Sequence, residues 1–341
     1  MELERRTMIE YRIEIAGIDV TNWIREKPNL SIQKGDLGDI VELPNLILVG
    51  DNTKHIFTPK HPNSIFTTAW IGDKIKIYRN EDIQYEGLIR NVSVTDAGRL
   101  AQIETTDLVN FKLGLQMALF TQNVKTLAEL SQEIYTLYGI NTDSVTYTRS
   151  KEIQEDWLLQ ARANVNVTQQ NTLLQTQQWL TQAGIARHWF VNGTAYYQVY
   201  DPDETRYSMH TFTDDDIMDI TEYDLIEKNE YDGYTVVCAG SVLAEKPGSN
   251  TIPVLNADSN SPFVFVTPET GHNWGERTIE ISKKEQYSIK VVLTRSKYTE
   301  WLTMRSNFTI QSTRYGFTNT FQTLLLDYSS DLYVILGGVS E

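Results

Sequence analysis

The chain has 341 residues, enough for two or three domains at roughly 100–200 residues each. Its content of 40% hydrophobic and 22% charged residues excludes a disordered or collagen-like chain. A net charge of −15, from 45 acidic against 30 basic side chains, argues against tight binding to nucleic acid or anionic lipid. A single cysteine, Cys238, allows no internal disulfide. No run approaches ~18 apolar residues, so no membrane-spanning helix is expected. The charged start Met1-Glu-Leu-Glu-Arg-Arg lacks the apolar stretch of a signal peptide, and the whole predicts a soluble protein made in a cytoplasm.

Most of the chain reads as strand. Tyr11–Ala16 alternates with period two, and a turn at Gly17 leads into a short strand over Ile18–Thr21. Lys74–Arg79 and Ile83–Arg90 alternate apolar and polar residues on either side of Asn80-Glu-Asp, which predicts a hairpin with one buried and one wet face. Asn91–Thr95 and Leu100–Thr106 extend the meander across a turn at Asp96-Ala-Gly98. Roughly the first 110 residues therefore read as a β-barrel or sandwich. Two helices follow. Thr126 and Glu129 form a capping box ahead of Leu127, Leu130, Ile134, Leu137 and Tyr138, and Gly139 ends that helix. The second is expected from near Thr168 through Leu173, Leu174 and Leu180 to Gly184. Its glutamines (Gln169, Gln170, Gln175, Gln177, Gln178, Gln182) are expected to form an uncharged polar face. Asn192-Gly193 then joins Ala186–Val191 to Thr194–Tyr200 as a hairpin, because both turn positions need positive φ. Downstream, Tyr234–Gly240, Arg277–Ser282, Tyr287–Thr294 and Leu332–Leu336 are rich in β-branched and aromatic residues and read as strands. Residues 246–262 read as a loop. No short repeat recurs, which excludes solenoids and propellers.

The charge is unevenly placed. Residues 201–232 hold 12 acids against two bases, Arg206 and Lys228. Asp201, Asp203, Glu204, Asp214, Asp215, Asp216, Asp219 and Glu222 interleave there with Phe212, Ile217, Met218 and Ile220. Such a segment is a solvated face, a surface that repels phosphate, or a weak cation site. As a calcium loop it fails, since the position that needs glycine is Arg206 and the closing position is Phe212. Phosphate-binding glycine loops, dinucleotide fingerprints, zinc-protease and serine-hydrolase motifs are all missing. His55, His61, His188, His210 and His272 are not spaced as metal ligands. His188, beside Trp189 and Phe190, reads as structural, and His55 and His61, around Phe57-Thr-Pro59, as hydrogen-bonding loop residues. Cys238 sits in an apolar run and reads as a buried, inert thiol. The seven tryptophans are scattered and read as core or interface. The expectation is no catalytic residue, no metal and no cofactor.

One succession of motifs is distinctive. Ile15–Ile24, Leu43–Asn52, Ile56-Phe-Thr-Pro, Asn63-Ser-Ile-Phe, Trp70–Tyr78 and Tyr85-Glu-Gly-Leu-Ile follow one another in an order that resembles the N-terminal barrel of phage tail-tip and baseplate hub proteins, the gp27-like group. The middle region, a capped helix ending in Tyr-Gly-Ile, a longer helix and an Asn-Gly hairpin, is similar to theirs as well. The last third matches only in its strand content. The resemblance implies a mainly β, α+β chain with two tail-tube-like β-barrel domains: 1–115, a helix-containing middle region 116–200, and 201–341, with barrels that distant segments can complete. It also implies a homotrimer whose barrels form a pseudo-sixfold ring, a hub joining the tail tube to a central spike or tip. Its partners would then be the tail tube protein, the spike or tip protein and the tape-measure protein, in a virion tail tip or baseplate assembled in the host cytoplasm. DNA would pass through the channel without specific binding, no membrane would be entered, and the acidic residues of 201–232 would line the lumen or its rim. A distal tail protein ring, a carbohydrate- or receptor-binding module and a tail-associated cell-wall hydrolase are the alternatives.

Overall fold

The computed structural model describes all residues except 1–10, 27, 29, 34–37, 42–44, 67–70, 80, 118–122, 165–170, 201–207, 227–229, 239, 256–261, 284–285, 295–306, 328–332 and 341. Two units emerge, one made of 1–30, 43–111 and 191–193, the other of 31–42, 112–190 and 194–341.

In the first unit β1 (Tyr11–Ile15) turns through Ala16 and Gly17, both at positive φ, into β2 (Ile18–Asp19). The next strand, β3 (Ser31–Gln33), belongs to the second unit. Strands β4 (Ile47–Asp51), β5 (Lys74–Arg79), β6 (Asp82–Thr95) and β7 (Leu100–Asp107) complete an antiparallel sheet ordered β2-β1-β5-β6-β7-β4. The predicted hairpin is β5–β6, and the stretches read as separate strands, 83–90 and 91–95, are one. A bulge between Ile89 and Asn91 bends β6 so that it can pair with β5 and β7 in succession. The sheet closes on itself where Ile24 bridges Gly50 and the Arg25 N–H donates to the Val49 carbonyl at 2.9 Å. Alternate residues of the strands, among them Ile13, Ile15, Ile75, Ile77 and Ile103, point into one core. The loop after β4 contributes Phe57 and Phe66 to it, their ring centroids 6.4 Å apart. Of the aromatic positions in the distinctive motif, Phe57, Phe66 and Tyr85 fill this core and Trp23 packs against it, Tyr78 stands on the other face of its strand under Arg12, and Trp70 lies outside the described residues.

The second unit begins within α1 (Leu108–Leu113) and continues with β8 (Lys125–Thr126), α2 (Leu127–Leu137), β9 (Asn141–Thr142), α3 (Ser144–Asp156), β10 (Gln160–Ala163) and α4 (Leu173–Ala183). Capping boxes start α2 at Thr126/Glu129 and α4 at Thr172/Gln175. Thr168, Gln169 and Gln170, expected at the start of this helix, lie outside the described residues. The sequence reading missed α3. Asp143 caps it by accepting from the Thr146 N–H at 2.9 Å, but its buried face is Thr146, Tyr147, Ser150, Ile153 and Gln154, which leaves no apolar stripe to read. Helix α4 bears out its glutamine face in part: Gln175 and Gln182 are exposed and Gln178 is half-buried, whereas Gln177 is buried with Thr176 and Thr181 alongside Leu173, Trp179 and Leu180. The hairpin β11 (Ala186–Val191) and β12 (Thr194–Val199) turns at Asn192 and Gly193, φ 50 and 74.

Beyond it come β13 (Thr211–Thr213), β14 (Ile217–Ile226), β15 (Tyr234–Cys238), β16 (Ser241–Lys246), β17 (Phe263–Phe265) and α5 (Pro268–Ser282). The chain ends in β18 (Gln286–Leu293), β19 (Asn307–Ser312), β20 (Phe317–Asp327) and β21 (Tyr333–Ser340). A sheet ordered β13-β19-β20-β21-β18-β14 dominates, with β3 also paired to β20. Only three residues join β13 to β14, yet these strands stand at opposite ends of the ladder, so the sheet must curl until its ends face each other. Arg277–Ser282, expected as a strand, is the end of α5. Thr267 caps that helix by accepting from the Thr270 N–H at 3.2 Å, Pro268 occupies its first turn, and Ile279 and Ile281 pack from helical positions. The fold is mainly β, of the α+β class.

Candidate functional site

The acidic segment divides into carboxylates that build turns and carboxylates that face water. Asp214 accepts from the Ser312 and Thr313 hydroxyls, each at 2.5 Å, and from the Thr313 and Arg314 N–H groups at 2.9 and 3.1 Å. These bonds, those from Ser312 and Thr313 above all, hold its carboxyl well below the usual range. Asp216 accepts from the Thr213 N–H at 3.0 Å and hydroxyl at 3.3 Å. Both therefore shape the corner where β13 passes to β14 beside the β19–β20 turn. Asp215 in that corner and Asp219 and Glu222 along β14 are exposed. Asp201, Asp203 and Glu204 lie outside the described residues. Among the described residues no three His, Cys, Asp or Glu side chains are grouped to hold a metal ion.

Asp232, at the end of the same segment, has a local task too. It accepts from the Asn250 N–H at 2.7 Å and from the Ser249 hydroxyl and N–H at 2.7 and 3.0 Å, and these donors pull its pKa down to about 2. Next to it, the Tyr234 hydroxyl lies 2.8 Å from His272 Nδ1, and Lys246 donates to both Glu276 oxygens at 3.0 Å. Through this cluster α5 is clasped to the β15–β16 hairpin. Gly271 and Gly275 let the helix sit that close, since a methyl at Gly275 would overlap the Tyr234 ring.

The loop histidines act as hydrogen-bonding residues. His61 Nδ1 accepts from the Asn63 N–H at 3.2 Å. The His55 ring lies against it, centroids 4.4 Å apart. Asn52 organises the loop: its amide donates to the Thr58 hydroxyl and the Gly98 carbonyl, both at 2.9 Å, and its oxygen accepts from the Phe57 N–H at 2.8 Å. Cys238 is buried in β15.

A buried polar network lies in the helical layer. Ser131 of α2 donates to Gln177 Oε1 of α4 at 2.6 Å and lies 3.1 Å from the Tyr147 hydroxyl of α3. Gln154 accepts from the Ala128 N–H at 2.8 Å and donates to the Gly184 carbonyl at 3.2 Å. His188 lies fully buried between Tyr135 and Thr181. The glutamine-rich stretch was the one sequence signal of this network, and the burial of Gln177 among its exposed neighbours was not legible from composition.

No protein-family model and no curated protein matches the sequence. Solved structures do match, over nearly the whole chain. A tail protein from Neisseria meningitidis MC58 superposes with a TM-score of 0.57 at 10% identity, covering 98% of this chain and 96% of its own. The 43 kDa tail protein of prophage MuSo2 from Shewanella oneidensis gives 0.59 at 11% identity, covering 96% of this chain and 98% of its own. The fold is shared with phage tail proteins. Prophage tail protein gp18 from Listeria monocytogenes EGD-e gives 0.53 at 8% identity over 96% of this chain and 94% of its own. In this tail-protein fold the conserved quantity is the path of the backbone, carried by side chains that differ almost everywhere.

Proposed function

We propose that the chain is a structural component of a phage tail or related injection apparatus, a central hub ring that joins the tail tube to the central spike or tip and leaves a channel. The observation that supports it is the end-to-end likeness to three tail proteins, each covering at least 96% of this chain. A closed barrel and a second curled sheet in one subunit suit the reading: three subunits offer six similar β modules to a sixfold tube and three copies to a threefold spike. The role is geometric and non-enzymatic. The partners proposed are the tail tube protein, the spike or tip protein and the tape-measure protein, at the virion tail tip or baseplate.

Native mass spectrometry and electron microscopy of the purified chain, alone and with tube and spike proteins, test this. A trimer with a central opening is expected. A hexamer would favour the distal tail ring instead, and a monomer that stays single beside those proteins would overturn the proposal.

A further inference from the structure

We propose that His188 is an acid-sensitive latch of the helical layer: its neutral ring, protonated on Nδ1, ties β11 to α2 and α4, and uptake of a second proton releases those helices together with the strap 38–41. The inference is independent of the tail reading.

Donor bookkeeping assigns the tautomer. The Thr181 hydroxyl has one hydrogen and donates it to the Gln177 carbonyl at 2.7 Å. Its lone pair is what faces His188 Nδ1 at 3.2 Å, so Nδ1 carries the proton. Nε2 is then an acceptor, and the Tyr135 hydroxyl 3.0 Å away donates to it. Both rings are fully buried, and the Tyr135 hydroxyl has no second acceptor among the described residues. A proton on Nε2 would turn that contact around and strand the tyrosine hydrogen in the core, at the same time as it buried a charge.

Among the described residues no charged group compensates that charge. From α2 the ring meets Tyr135, and from α4 it meets Thr181, whose hydroxyl is held by the Gln177 carbonyl. From β12 the Tyr197 ring stands edge-on at 5.7 Å, and from its own strand Phe190 lies 5.3 Å away. The strap bonds His188 through main-chain groups, and the side chain of Asp39 is exposed. Burial alone pushes the His188 pKa down, to about 3, with no contribution from a carboxylate or a cation.

The same residue carries the strap. The His188 N–H donates to the Asp39 carbonyl at 3.1 Å, and the Val41 N–H donates to the His188 carbonyl at 3.0 Å. Gly38 completes the clasp, its N–H donating to the Ala186 carbonyl at 2.7 Å and its carbonyl accepting from Gln178 of α4 at 2.8 Å. Side chain and main chain of one residue thus hold two helices and a segment that comes from far upstream in the chain.

Imidazole nitrogen NMR of the full chain at neutral pH reads the tautomer, and an Nδ1-protonated ring is expected. Hydrogen exchange, corrected for intrinsic rates, then compares pH 7 with pH 4.5. Amides of α2, α4 and β11 are expected to lose protection by up to about ten-fold per pH unit below the ordinary histidine pKa, relative to β5–β7 of the first unit. In His188→Gln, whose amide can donate to Thr181 and accept from Tyr135, that acid loss is expected to vanish. An Nε2-protonated ring, full protection of the wild-type helices at pH 4.5, or equal loss in the variant would overturn the latch. Should the variant not fold, the wild-type tautomer and protection profile decide.

Discussion

Asp107 shows how one side chain can be pulled two ways. It caps α1, accepting from the Val109 N–H at 2.7 Å and the Asn110 N–H at 3.2 Å, and both bonds favour its ionised form. It is also only 2% exposed, and burial outweighs the caps, raising its pKa to about 6. Between the ordinary carboxylate pKa of 3.8 and about 6 the folded chain therefore holds more proton than the unfolded one. Stability from this group is full below that window and declines as pH rises through it, by up to about 1.4 kcal/mol per pH unit. Asn caps a helix as well as Asp and does not titrate. The advantage of the wild type over Asp107→Asn, read from urea midpoints at matched pH so that all other titrations cancel, is expected to shrink from pH 4 to 6. His188 has the opposite sign, since its folded-state pKa lies below the unfolded one and acid weakens it. Titration curves of the two should be separable for that reason. A third case is Asn52, buried with three bonds from one amide. Asn52→Ala would leave the Phe57 N–H and the Gly98 carbonyl without these partners, at a cost of about 2–3 kcal/mol in chemical unfolding.

At the level of elements, the start of α2 was legible, while the other helix starts and the packing were not. Thr126 with Glu129 announces α2 because the capping box is a four-residue interaction that needs no distant partner. Helix α5 shows the converse. A six-residue window at Arg277–Ser282 alternates like a strand, but the cap at Thr267 and Pro268 had already committed the chain to a helix, and tertiary contacts hold it there. Its glycines make a sharp test of which effect wins. Gly→Ala inside a helix ordinarily stabilises by about 1 kcal/mol. At Gly275 the added methyl meets the ring of Tyr234, itself 1% exposed and bonded to His272, so it has nowhere to move. Overpacking should dominate, and Gly275→Ala is expected to destabilise by about 1–3 kcal/mol in chemical denaturation. A stabilised variant would show that the hairpin gives way.

For the whole molecule, the open question of the acidic segment becomes a matter of where its exposed half faces. Asp214 and Asp216 are occupied in turns and should be left intact, whereas Asp215, Asp219 and Glu222 are exposed. If they line a channel, they keep phosphate from exchanging its counterions there. If the proposed ring forms and these residues line its channel, the triple change Asp215→Lys, Asp219→Lys and Glu222→Lys is expected to give it salt-dependent retention of DNA beyond that of the wild type. A ring that stays indifferent to DNA would move these residues to the outside. What the sequence by itself determined is what neighbours along the chain decide: the alternation of Lys74–Arg79, the turn at Asn192-Gly193, the capped start of α2. Only the tertiary structure decided that Ile24 meets Gly50 to close a barrel, that residues 31–42 belong to the second unit, and that Gln177, Thr181 and His188 are buried. Each of those depends on a partner remote in sequence. A polar side chain is tolerated in the core only when such a partner takes its hydrogen bond, and that partner is in place only once the chain has folded.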